Sequence, residues 1–121
     1  YGGVAPPLPL SAGASALWAD EEHVIINRSL YAEKYKIAAE ILSGKYGYYT
    51  PDGGLYLWLN VGDGEKAALR LWRDAGVRVI PGEYLAREIE GFHPGAGYIR
   101  LALVHDKDKT AEALTRLVGI L

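Results

Sequence analysis

The sequence predicts an α+β fold, a two-layer sandwich in which three helices cover one face of a mainly antiparallel four-stranded sheet. Two stretches, 55–61 and 97–104, alternate apolar residues with others, as strands with one buried face do. Three longer stretches, 20–43, 63–75 and the chain after Asp106, space their apolar residues as amphipathic helices do. Glycine and proline separate these stretches, which favours a domain of short elements.

The helices have recognisable ends. Residues 11–18 are small and apolar, and they predict a short first helix. Asp20 is placed to cap the helix 20–43, which Gly44 ends. Asp106 opens the last helix. In the three longer helices the residues expected to be buried are Val24, Tyr31, Tyr35, Ala38, Leu42, Ala68, Leu71, Trp72, Ala75, Ala111, Leu114, Val118 and Leu121.

Four strands are predicted, and turn residues separate them. They cover residues 46–49, 55–61, 77–80 and 97–104. The sequence Thr-Pro-Asp-Gly-Gly, which begins at Thr50, supplies the turn between the first two. The third strand closes on a Pro-Gly turn, and a loop follows before the fourth.

The chain is predicted to contain one domain preceded by a linking segment. Residues 1–10 are rich in glycine and proline and predict an extended connector. We expect residues 1–19 to connect to a large N-terminal domain outside this chain, and residues 20–121 to form a small C-terminal domain. The sequence contains no methionine, so we expect it to be part of a longer protein.

Composition excludes several classes of protein. The net charge of −2 argues against a nucleic-acid or anionic-membrane partner. The absence of cysteine excludes a disulfide scaffold and agrees with a cytoplasmic location. No apolar run approaches the length of a membrane span. The three histidines, His23, His93 and His105, are far apart and do not have the spacing of a metal site.

One arginine lies in the last predicted strand among apolar residues. Alternation places Ile99, Leu101 and Leu103 on the core face and Arg100 on the other, beside Tyr98. There the planar guanidinium can bind a carboxylate through two parallel hydrogen bonds. A solvated arginine on an open sheet face is the alternative, because charged residues on sheet surfaces are common.

Several short sequences carry a resemblance to a known family. Three of them, in this order, resemble the small C-terminal domain of fold-type I, class I/II aminotransferases, which use pyridoxal phosphate: Pro51-Asp-Gly-Gly-Leu-Tyr-Leu-Trp, Gly76-Val-Arg-Val-Ile-Pro-Gly and Gly97-Tyr-Ile-Arg-Leu-Ala-Leu. Four others resemble the bacterial N-succinyldiaminopimelate aminotransferases: Asp20-Glu-Glu-His, Asn27-Arg-Ser-Leu-Tyr, Tyr84-Leu-Ala-Arg-Glu and Pro94-Gly-Ala-Gly.

The resemblance implies a function for Arg100 and for the protein that contains it. Arg100 matches the family arginine that binds the α-carboxylate of the substrate. The full-length enzyme would be a homodimer that uses pyridoxal phosphate to transfer an amino group from glutamate to N-succinyl-2-amino-6-oxopimelate, in lysine and diaminopimelate biosynthesis. The alternatives are an enzyme of the same class acting on another amino acid and a stand-alone regulatory module that binds amino acids.

The resemblance also implies that part of the active site lies outside this chain. Family members hold the cofactor on a lysine in a Ser-x-x-Lys context, and none of the six lysines here has that context: Lys34, Lys36, Lys45, Lys66, Lys107 and Lys109. We expect all six to be solvated, whereas a Schiff-base lysine needs a desolvated site. We therefore expect this chain to hold no catalytic or cofactor-binding residue and to be inactive alone.

Two further residues are candidates for substrate contact. Tyr56 shares the open sheet face with Arg100. Arg87 lies in a loop that the resemblance places near the active site, where it would meet the distal carboxylate of a succinylated substrate. The neighbouring Glu88 and Glu90 favour an ordinary surface arginine instead.

The three histidines are weaker candidates for a functional role. His93 lies in the loop Gly91-Phe-His-Pro-Gly and is a candidate for gating the substrate, whereas His23 and His105 are expected at the surface.

The open face of the predicted sheet admits more than one explanation. Tyr56, Trp58, Tyr98 and Arg100 would share it, which is more aromatic surface than a free-standing domain normally exposes. A large domain and substrate would cover it in an aminotransferase. An RNA-binding sheet also displays aromatic residues and arginine, but the basic-glycine-aromatic sequence of that class is absent here.

Overall fold

The computed structural model describes residues 5–121, and the part of the predicted connector before residue 5 lies outside this range. The chain divides into two compact units, one ending at Leu30 and the other comprising Tyr31–Leu121. The candidate site residues Tyr56, Arg87 and Arg100 all belong to the second unit.

Four α-helices occur in the described residues: α1 (Leu8–Ala19), α2 (Glu22–Leu42), α3 (Gly64–Arg70) and α4 (Lys107–Ile120). The predicted caps are present. The Asp20 carboxylate accepts a hydrogen bond from the backbone N–H of Glu22, and Asp106 accepts one from the N–H of Lys109. A π-helical turn, Leu71–Ala75, continues α3 and ends at Gly76, which has a φ of 66°.

Three antiparallel strands form the sheet, β1 (Tyr56–Asn60), β2 (Ile80–Pro81) and β3 (Tyr98–Ala102), with β3 in the centre. Leu57 faces Leu101 and Leu59 faces Ile99 across β1 and β3. All four of these side chains are buried. They form the inner face of the sheet, as the alternation predicts.

The core of the second unit lies between this inner face and three helices. Its helical members are Tyr35, Ala38 and Leu42 of α2, Ala67 of α3, Leu71 of the π-helical turn, and Leu114 and Leu117 of α4. When the π-helical turn is counted with α3, the core residues of each helix are spaced three or four apart, so each helix buries one apolar stripe. The α+β class and the helical layer on one face are therefore confirmed. In residues 5–121 no helix is long and apolar enough to cross a membrane.

The prediction of a fourth strand over residues 46–49 is wrong. Tyr46 and Gly47 have φ values of 52° and 61°, a left-handed conformation that strands do not adopt. The Tyr48 N–H donates to the carbonyl of Lys45, which makes a turn. The strand predicted over 77–80 is also shorter than expected, since β2 pairs with β3 only at Ile80 and Pro81.

The predicted start of the first helix and the predicted burial of two side chains also differ from the structure. Helix α1 begins at Leu8, inside the predicted connector, since prolines are tolerated in a first helical turn. Trp72 is 54% exposed, because α3 and its continuation bury a narrow stripe centred on Ala67 and Leu71. Lys34, expected to be solvated, is 9% exposed. It lies on the stripe of α2 that also carries Ala38, four residues later.

Candidate functional site

The centre of the open sheet face is occupied by Arg100. It lies in the middle of β3, paired with Trp58 of β1 on one side and with Ile80 of β2 on the other. Because the pairing continues on both sides, the backbone of Arg100 is held in a fixed position. The side chain is half-buried. A guanidinium in this setting is more desolvated than a surface arginine, which strengthens its attraction for an anion.

The guanidinium of Arg100 lies over an aromatic ring rather than beside an acidic residue. Its carbon Cζ is 5.5 Å from the centroid of the Tyr56 ring. Within residues 5–121 no carboxylate oxygen lies within 4.0 Å of it, so it forms no ion pair there. Its hydrogen-bond donors are therefore available to an external carboxylate.

A stacked aromatic pair borders this arginine. The rings of Trp58 and Tyr98 are 5.4 Å apart with an interplanar angle of 11°. Gly82 packs tightly on this pair. A Cβ there would come within 2.8 Å of the Trp58 indole and 2.6 Å of the Gly95 carbonyl oxygen. Two glycines thus allow the loop after β2 to lie directly against the stacked rings.

A hydrogen bond ties the start of that loop to α3. The Tyr84 hydroxyl donates to Oε1 of Glu65 at 2.9 Å. This hydrogen bond from the phenol to a carboxylate raises the pKa of Tyr84 above its ordinary value. The start of the loop is held in place beside the sheet.

The weaker candidates are Arg87 and His93, both in the loop before β3, and His23 in the first unit. Arg87 is exposed in the loop, and within the described residues it forms no ion pair with Glu88 or Glu90. The ring nitrogen Nδ1 of His93 accepts a hydrogen bond from the backbone N–H of Gly95. His23 contacts the Asp20 carboxylate at 2.8 Å near the start of α2, where its hydrogen bond lowers the pKa of Asp20.

Neither a metal site nor a lysine suited to a cofactor is found in the described part of the chain. No three histidine, cysteine or acidic side chains of residues 5–121 converge as metal ligands. Five of the six lysines are exposed. The sixth, Lys34, donates from Nζ to the Leu103 carbonyl at 2.8 Å and lies 4.7 Å from the Tyr31 ring centroid. Its amine is already engaged by the core.

Two features of this region were not predicted from the sequence. The contact between Arg100 and Tyr56 depends on strand register, since Tyr56 pairs with Ala102 and so lies diagonally across from Arg100. The packing of Gly82 on Trp58 joins two segments far apart in sequence. The alternation of apolar residues in β1 and β3 correctly predicted which four side chains lie on the open face. The distances between those side chains depend on how the two strands are paired, which the sequence did not show.

Known proteins are similar to this chain in both fold and sequence. A solved aminotransferase from Neisseria meningitidis superposes with a TM-score of 0.91 and 40% identity, over 98% of this chain and 31% of that one. A probable N-succinyldiaminopimelate aminotransferase from Thermus thermophilus matches with a TM-score of 0.71 and 34% identity, over 90% of this chain and 28% of that one. LL-diaminopimelate aminotransferase from Aquifex aeolicus is 36% identical over 115 residues, 90% of this chain and 28% of the relative. No family model matches the chain.

The fold, three helices on one face of an antiparallel sheet, is that of an aminotransferase small domain. By sequence as well as by fold, this chain is a homologue of aminotransferases. The chain spans about 30% of the length of the curated relatives it matches.

Proposed function

We propose that the protein containing this chain is a pyridoxal-phosphate-dependent aminotransferase and that this domain binds the α-carboxylate of its substrate through Arg100. One observation carries the assignment to Arg100. The residue is half-buried at the centre of the sheet, yet no acidic group of the described residues neutralises it. An arginine that served only stability would more often be paired or fully solvated.

The chemistry of a guanidinium explains what Arg100 would do. Two parallel N–H groups can donate to the two oxygens of one carboxylate, which fixes both the position and the orientation of that end of the substrate. Orientation matters because a correctly held reactant avoids the entropy cost of a free encounter. A lysine could supply the charge but not the two-point contact.

The residues of this chain do not fit the cofactor itself. A Schiff-base lysine needs a desolvated amine that is free to react. The one buried amine, that of Lys34, donates to the Leu103 carbonyl, and the other five lysines are exposed. The cofactor lysine and the proton-transferring groups would therefore come from a large domain outside residues 1–121, and this chain would contribute substrate binding alone.

The proposed reaction transfers an amino group from glutamate to N-succinyl-2-amino-6-oxopimelate in a cytoplasmic homodimer. Similarity to a probable N-succinyldiaminopimelate aminotransferase and to an LL-diaminopimelate aminotransferase supports this substrate class. A succinylated substrate carries additional carboxylates, and the exposed Arg87 is a candidate to bind the distal one. Residues 1–19 would connect the large domain to the small domain 20–121.

The test is a comparison of substrates in the full-length protein. Glutamate formation from 2-oxoglutarate is measured with either N-succinyl-LL-diaminopimelate or LL-diaminopimelate as amino donor. We expect a higher kcat/KM for the succinylated donor. A preference for the free diamine would overturn the substrate assignment, and no transamination with any amino acid would overturn the proposed activity.

A second test asks whether the cofactor-binding lysine lies outside this chain. The 121-residue chain is mixed with pyridoxal phosphate, dialysed and reduced with borohydride. We expect no reduced cofactor on any lysine, because no free, desolvated amine is present among Lys34 and the exposed lysines. Stoichiometric labelling of one specific lysine would contradict the proposal that the cofactor site lies elsewhere.

A further inference from the structure

We propose that Tyr56 is a positioning residue that holds the guanidinium of Arg100 ready for a carboxylate through the face of its aromatic ring. The inference rests on the proposed function of Arg100 and adds a role for a second residue. It also changes the role expected for Tyr56, from contact with the substrate to contact with the arginine.

The register of the strands explains how the contact arises. Tyr56 lies directly across from Ala102, while Arg100 pairs with Trp58, the next residue on the same face of β1. Because Ala102 is small, the space in front of the Tyr56 ring is left to a longer side chain. The diagonal neighbour Arg100 fills it, with Cζ 5.5 Å from the ring centroid.

Tyr56 is the aromatic residue available for this role. The rings of Trp58 and Tyr98 are stacked on each other, 5.4 Å apart. The Tyr56 backbone is part of β1, and its carbonyl lies 3.5 Å from the hydroxyl of Tyr35 in the core. The ring therefore projects from an anchored strand, even though its residue is 46% exposed.

An aromatic ring suits this role better than an acidic residue would. A carboxylate partner would occupy the N–H donors of Arg100 and compete with the substrate. A ring attracts the cation through its face and takes up none of those donors. The guanidinium can thus be held in place while its hydrogen-bonding edge remains available.

Tyr56→Leu and Tyr56→Phe in the full-length protein separate the ring from the hydroxyl. We expect Tyr56→Leu to raise KM for the amino-acid substrate about fivefold, the size of a partly exposed cation–π contact, with kcat changed less than twofold. Tyr56→Phe keeps the ring and should match the wild type. Tyr56→Val, a second residue favoured in strands, repeats the test should the leucine variant fold poorly.

A matched control exists elsewhere in the chain. Trp72 is 54% exposed and its ring lies 4.7 Å from Cζ of Arg78, so Trp72→Leu also removes a ring from an arginine. We expect its KM to be that of the wild type. An equal rise in KM for Trp72→Leu would indicate a general loss of structure and would overturn the specific role of Tyr56.

The remaining outcomes distinguish the inference from the function on which it rests. Wild-type kinetics in Arg100→Lys would mean that the proposed carboxylate site is wrong. An impaired Arg100→Lys together with a wild-type KM in Tyr56→Leu would overturn only the role of Tyr56. A Tyr56→Phe variant as impaired as Tyr56→Leu would mean that the hydroxyl contacts the substrate, which also contradicts the inference.

Discussion

The two faces of the same sheet differ in what covers them. The inner face presents Leu57, Leu59, Ile99 and Leu101, all buried under three helices. The outer face presents Tyr56, Trp58, Tyr98 and Arg100, which remain half-buried or exposed. Successive residues of one strand thus have different roles. Odd-numbered positions of β1 and β3 build the core, and even-numbered positions build a surface suited to binding.

The difference is also one of energy. Each large apolar side chain on the inner face contributes about 1.5–3 kcal/mol by leaving water. The outer face gains less from burial, and it places a cation where no acidic residue of the described chain compensates it. Stability and recognition are therefore separable by mutation, residue by residue, along the same two strands.

The largest effect on stability is expected at the inner face. Leu59→Ala removes a fully buried side chain, so it should lower the free energy of unfolding by about 2–5 kcal/mol. Urea denaturation followed by tryptophan fluorescence measures the change. The control is Leu69→Ala on α3, where the side chain is 62% exposed and the expected change is small. Equal losses in the two variants would contradict the inner-face assignment.

The outer face should show the opposite pattern. In the full-length protein, Arg100→Lys keeps the charge but loses the two-point contact, so kcat/KM should fall by an amount equivalent to about 2–5 kcal/mol. Unfolding should change little, because Arg100 lies opposite the core. Steady-state kinetics and denaturation on the same preparation test both halves. A variant with near wild-type kinetics would remove Arg100 from the site.

A smaller loss of stability is expected from removing the buried amine of Lys34. Lys34→Met keeps the apolar stem but leaves the Leu103 carbonyl without its hydrogen bond, which should cost about 1–3 kcal/mol of stability. Lys36→Met, on an exposed position of the same helix, is the control. If both variants unfold at the same denaturant concentration as the wild type, the buried hydrogen bond contributes nothing measurable.

The smallest effect concerns the cap of α3, one of the helices on the inner face. The hydrogen bond from the Lys66 side chain, together with that from its backbone N–H, lowers the pKa of Asp63 below its ordinary value of 3.8. This contribution to stability is complete above the unfolded pKa and is lost as pH falls through the folded one. Asp63→Asn keeps a capping side chain without the charge.

The free energies of unfolding of wild type and Asp63→Asn should therefore differ slightly at neutral pH and converge on acidification below about pH 4. Denaturation at a series of pH values measures this. A difference that is constant across the series would contradict the role of the charge. Asp52→Asn, at a turn position without a side-chain hydrogen bond in the described structure, is the control.

Local signals predicted much of the fold because they act within a few residues. The predicted caps at Asp20 and Asp106 and the predicted end at Gly44 depend on backbone groups nearby. The helix positions and the alternation of the two long strands followed from the same short-range periodicity. The strand predicted at 46–49 failed because an apolar, aromatic stretch gives no sign of the left-handed backbone at Tyr46.

Periodicity along the chain was enough to predict the α+β class, the helical layer over one sheet face, and the position of Arg100 opposite the core. These features depend on the spacing of apolar residues and on short-range backbone interactions, both of which are present within a single segment of the chain. Three contacts could not be predicted in this way: Arg100 over Tyr56, Lys34 with the Leu103 carbonyl, and Gly82 on Trp58. Those contacts join residues far apart along the chain, and their geometry is set by strand register and by how the helices pack on the sheet.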